Sequence, residues 1–191
     1  MLSLRFARLR SPCTRVLAPV RHYTTSRDPS HPHLYYHSLP STTKPTLALS
    51  FLPDPPRRGV ESRTVLGFLP ANEEAGLEDF KENPPFRQLL HEAIKSALEA
   101  GAAPTVETEA LTRGSDGFMH IGDARNPSPA GRIPTPHDII GMIYVQDGKV
   151  MPETYEPQPM YRICTQDGVC ILPYGLDEHV LKTLQAVADQ E

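Results

Sequence analysis

Residues 83–101, NPPFRQLLHEAIKSALEAG, read as one amphipathic helix. Phe86, Leu89, Leu90, Ala93, Ile94, Ala97 and Leu98 fall on a single apolar stripe at helical spacing. Asn83 is a capping residue type, and Pro84 takes the first helical position, where its missing amide would be unpaired in any case. Gly101 supplies the stop. A helix with one apolar face must bury it against a sheet or another helix, so the flanking segments decide the fold.

On the N-terminal side, residues 46–52 (TLALSFL) and 64–69 (TVLGFL) are apolar runs of strand length, each followed by a proline. They are expected to pair as a hairpin with a long proline-rich connection. On the C-terminal side, residues 139–145 (IIGMIYV) lead to Asp147-Gly148, a hairpin turn signal, and Lys149-Val150 begins the return. Residues 161–164 and 169–172 flank a second such dipeptide, Asp167-Gly168. A last helix is expected from about Leu176 to Ala188, with Leu176, Val180, Leu181, Leu184 and Val187 on one stripe. Residues 105–111 fit a short helix or a strand, and 114–136 read as loop. The expected fold is α+β: a mainly antiparallel sheet, two amphipathic helices and a long Pro/Gly-rich loop, all in one domain over residues 46–191.

The charge is unevenly distributed. Of the 19 lysines and arginines, six are arginines within residues 1–27, a stretch without lysine, aspartate or glutamate. The remainder therefore carries 13 basic against 23 acidic residues, or −10. Leu2, Phe6 and Leu9 share one face of a short helix, and hydroxyl residues are frequent, so residues 1–27 have the composition of a mitochondrial transit peptide. Arg21-His22-Tyr23-Thr24 resembles a matrix processing site. Residues 28–45 hold four prolines and the histidines His31, His33 and His37, and read as a flexible arm. No apolar run approaches the length of a membrane-spanning helix. The acidity of the remainder, with its basic residues scattered, argues against nucleic-acid binding.

The long loop carries the densest set of polar side chains: His120, Asp123, Arg125, Asn126, Arg132, His137 and Asp138. His120, Asp123, His137 and Asp138 are the candidates for acid–base or metal chemistry, and Arg125, Asn126 and Arg132 for holding an anion. The competing reading is bracing, in which Asp123 and Asn126 bond backbone amides and Asp138 pairs with an arginine, because a long connection must satisfy its buried backbone. The spacing matches no metal motif, and neither a metal nor a cofactor is assigned. Tyr155, Pro157, Pro159 and Tyr161 form a proline-punctuated aromatic stretch, read as an exposed strand edge or a partner-binding segment. Cys164 and Cys170 flank the second turn; alternation puts them on opposite faces of the ribbon, so both are expected to be packed thiols.

The runs 118–121 (FMHI), Asp123-Ala124-Arg125-Asn126, Gly131-Arg132-Ile133, 138–141 (DIIG), 152–155 (PETY) and 161–164 (YRIC) together resemble small fungal mitochondrial proteins. The similarity spans roughly residues 31 to 185. No activity attaches to that group, so the resemblance implies a compartment and little more. Phosphate-binding loops, dinucleotide fingerprints, C-x-x-C, H-E-x-x-H and G-x-S-x-G are all missing from the chain. The expectation is a mitochondrial matrix protein without catalytic activity that binds other mitochondrial proteins, as an assembly or maintenance factor for the respiratory chain or the translation machinery. The alternative is a small metal- or acid/base-dependent enzyme acting on an anionic small molecule through residues 114–138.

Overall fold

A computed structural model describes residues 24–39, 44–72, 74–129 and 132–191. The N-terminal strands are β1 (Thr25–Arg27), β2 (Tyr35–Leu39), β3 (Thr46–Ser50), β4 (Val65–Pro70) and β5 (Lys81–Glu82). Helices α1 (Pro84–Glu99) and α2 (Pro104–Thr112) follow. Then come β6 (Gly117–Gly122), β7 (Ile139–Gln146), β8 (Lys149–Pro157), the short ribbon β9 (Cys164–Thr165) and β10 (Gly168–Val169), and α3 (Leu176–Gln190). Strands β1 to β5 form one sheet in chain order, β6-β7-β8 a second, and β9-β10 a ribbon. Every pairing is antiparallel, and the fold is α+β. None of the described helices is long and apolar enough to cross a membrane.

Helix α1 is the hub. Its stripe from Phe86 to Leu98 is buried in the main core, together with Leu49 and Leu66 of the first sheet, Ile140 and Ile143 of the second, and Leu176, Val180 and Leu184 of α3. Its C-terminus closes as a Schellman motif: Gly101 has φ +64°, the Ala102 amide donates to the Ala97 carbonyl and the Gly101 amide to that of Leu98. Its N-terminus departs from expectation. The Asn83 side chain does not cap the helix; its buried amide donates to the carbonyls of Ser62 (2.9 Å) and Val65 (2.7 Å), locking the start of β4 to the helix. The predicted hairpins form. Thr46–Ser50 pairs with Val65–Pro70, and Asp147 and Gly148 both have positive φ (50° and 72°), a type I′ turn.

Four further differences have physical causes. Residues 28–45 are not a flexible arm throughout: β2 lies between β1 and β3, with Leu34, His37 and Leu39 buried. The inward positions are partly occupied by histidine, which reads as polar in a sequence. Thr25–Arg27, placed within the leader by composition, pairs with β2; residues 1–23 of that leader lie outside the described residues. Part of the expected 114–136 loop is strand β6, whose inward side chains are only Met119 and Ile121. Between its flanking glycines, that alternation is too short to register. The third hairpin turns one residue early, at Gln166-Asp167, because Cys170 and Ile163, both fully buried, pair through the Cys170 amide (2.8 Å).

Candidate functional site

Arg125 lies at the start of the irregular segment that follows β6, and its side chain is 1% exposed. All five of its N–H donors have acceptors. Nε donates to Asp138 Oδ1 (3.2 Å), Nη1 to the carbonyls of Ile163 (3.0 Å) and Gly168 (3.2 Å), and Nη2 to those of His137 (3.1 Å) and Arg162 (2.7 Å). Asp123 stands 3.4 Å from Nε and accepts from the amides of Arg125 and Ile171 and from the Tyr161 hydroxyl, each at 2.9 Å. Asp138 also accepts from Thr135 (2.7 Å) and the Asn126 amide (3.1 Å). Burial pushes the Asp123 carboxyl up, against the pull of Arg125 and its donors. For Asp138, burial is outweighed by the bonds from Thr135 and Asn126 and by the Arg125 charge, and its carboxyl lies below the usual range. Asp123, Arg125, Asn126 and Asp138 are thus a brace tying the irregular segment to the β9-β10 ribbon.

The remaining loop candidates separate. His137 faces away from the brace, with Nδ1 2.9 Å from the Met160 carbonyl, in a cleft with Arg162 and Cys164. His120 and Arg132 line a different, larger cleft of about 750 Å³, bounded by α2, β6, lining residues between Asp123 and Pro129, the stretch Arg132 to Pro134, and Pro173-Tyr174. Two charged residues absent from the candidates, Glu109 and Arg113, line it as well. Burial raises the Glu109 carboxyl, against the opposing pull of Arg113 and His120. The sequence signal for Glu109 is its (i, i+4) spacing from Arg113, which lies two residues past the end of the expected 105–111 element. Among the described residues, no three His, Cys, Asp or Glu side chains gather to hold a metal ion.

Tyr155 and Tyr161, expected at an exposed edge, are core residues. They are 7% and 1% exposed, and both pack against His91, whose Nδ1 is 2.9 Å from the Tyr155 hydroxyl. Pro157 and Pro159 are exposed, and β8 is an edge strand of its sheet. Cys164 and Cys170 are free thiols; Cys170 is fully buried, and burial pushes it up to about 12, which disfavours the nucleophilic thiolate.

Three histidines are held neutral by burial. His31 Nε2 donates to the Cys170 carbonyl (3.0 Å), leaving Nδ1 to accept from the His33 amide. His37 Nε2 donates to the Leu52 carbonyl (3.0 Å), and Nδ1 accepts from Thr25. His91 is lowered to about 4, by burial first and by Arg87 second. The unfolded chain therefore binds protons on these rings that the folded chain refuses. Their stabilisation is complete above an unfolded pKa of about 6.5 and is lost as pH falls below it. The melting temperature is expected to drop between pH 7 and pH 5, and less steeply in a His91→Gln variant; calorimetry at stepped pH measures both.

Fold and site together define an α+β protein with a closed ionic brace beside one open cleft of mixed polarity. No family model, curated protein or solved structure matches the chain.

Proposed function

We propose that this chain works in the mitochondrial matrix by binding other proteins, as an assembly or maintenance factor for the respiratory chain or the translation machinery, and that the cleft between α2 and β6 receives the partner. The import half of the reading rests on the arginine-rich, acid-free opening of the sequence. The binding half rests on one observation: Phe118, Ile133 and Tyr174, 54%, 72% and 68% exposed, all line that cleft. Large apolar side chains left in water around a concavity are characteristic of interaction sites. The polar groups expected to do chemistry are instead largely engaged in the brace.

Affinity purification of the epitope-tagged full chain from mitochondria tests both halves. The expected result is a matrix-localised protein with specific partners that are lost in a Phe118→Ser/Tyr174→Ser variant. A monomer without enriched partners, or a full-length chain confined to the cytosol, would overturn the reading. A second reading, an acid–base enzyme for a small anion, is favoured by Glu109 and His120 lying in one cleft with Arg132. It requires turnover of an anionic metabolite by the wild-type chain that Glu109→Gln abolishes.

A further inference from the structure

We infer that the partner segment received by this cleft is acidic, an extended peptide bearing carboxylates between apolar residues; the inference rests on the docking reading above. Residues 28–191 carry a net charge of −10, so a surface taken at random is expected to repel such a segment. The cleft has the opposite balance. Its charged lining is Arg113, Arg132 and Glu109, with Asp123 already paired to Arg125. Arg132 is exposed, and its guanidinium has no hydrogen-bond or ion-pair partner among the described residues. Arg113 is held in place by donating through Nη1 to the Phe118 carbonyl, which leaves further N–H groups free to meet a carboxylate. Two guanidiniums therefore border the same concavity as three exposed apolar side chains.

The size and stiffness of the cleft favour a peptide over a free anion. A small carboxylate or phosphate would engage an arginine but leave most of the 750 Å³ and the rings of Phe118 and Tyr174 uncovered. Pro127, Pro129, Pro134 and Pro173 in the lining each have φ fixed by their own ring, which lowers the ordering cost at those positions when a segment docks. A nucleic acid would need a longer track of cations to neutralise successive phosphates than two arginines provide.

The test uses the full chain and a short fluorescein-labelled peptide of alternating glutamate and leucine or phenylalanine, with a lysine-for-glutamate counterpart, followed by fluorescence anisotropy. The acidic peptide is expected to bind and to weaken with salt. It should lose about tenfold in affinity on Arg132→Glu and more on Arg113→Glu/Arg132→Glu, while the lysine peptide gains affinity for the double variant. Both arginines are exposed, so unchanged melting curves will show that the variants are folded. Equal binding of the acidic peptide to all variants, preference of the wild-type chain for the lysine peptide, or displacement of the acidic peptide by a lower concentration of single-stranded oligonucleotide would each overturn the inference. Capture of mitochondrial partners distinguishes failure of acidity from failure of docking. If mitochondrial partners survive the arginine reversals but not Phe118→Ser/Tyr174→Ser, docking stands and acidity falls; if the wild-type chain captures none, docking itself falls.

Discussion

Replacing Arg125 by methionine is expected to destabilise the fold by about 3–5 kcal/mol, because two buried carboxylates lose their common cation. Four backbone carbonyls, those of His137, Arg162, Ile163 and Gly168, lose their donor at the same time. For a chain of this size, the melting temperature should fall by roughly 10 °C, measurable by calorimetry or circular dichroism. Lysine should not rescue it, since three rotatable donors on one nitrogen cannot reach acceptors that a planar fork reaches from three. Adding Asp123→Asn and Asp138→Asn to Arg125→Met should recover much of the loss, because the cost lies in the stranded charges rather than in missing attraction. If the single methionine variant melted like the wild-type chain, the brace would have no structural weight.

Gly175→Ala should be nearly as damaging. Gly175 precedes α3 with φ +92°, a conformation that side chains with a Cβ rarely adopt. A methyl group there would run into the Pro104 ring and lie 2.9 Å from the Ala102 carbonyl oxygen. Backbone strain and overpacking together should cost about 3–5 kcal/mol, read as a lowered denaturation midpoint. Gly114→Ala provides the control. Its φ is +73°, but a Cβ there meets nothing within 4 Å, so only the backbone cost of about 1 kcal/mol should appear. Equal losses at the two positions would mean that contact of the α3 start with Pro104 does not matter.

Local signals were sufficient where one residue pattern dictates one geometry. The stripe from Phe86 to Leu98, the stop at Gly101 and the turn at Asp147-Gly148 each depend on neighbours within a few positions. The features that escaped depend on distant partners. His37 is an inward strand residue because the Leu52 carbonyl awaits its Nε2, and Asn83 leaves its helix uncapped because Ser62 and Val65 offer buried carbonyls. Tyr161 belongs to the interior because Asp123 accepts its hydroxyl across a separation of 38 residues. The loop candidates show the same division. Bracing by Asp123, Asn126 and Asp138 is foreseeable from their types, but three of the four carbonyls that complete the shell of Arg125, those of Arg162, Ile163 and Gly168, come from chain beyond the loop. Glu109 and Arg113 face His120 only because α2 packs against the second sheet.

The hydrogen-bond and ion-pair partners of Arg125 are spread over residues 123 to 168, and the surrounding chain is cross-tied by the Asp123 amide to the Asp138 carbonyl, the Ala124 amide to that of Ile171 and the Arg162 amide to that of His137. No one of these segments can open without breaking bonds of the others. Strand β6, the start of β7 and the ribbon should therefore behave as a single foldon, closing late in folding because its contacts are non-local, and exchanging its amide protons with one shared opening free energy.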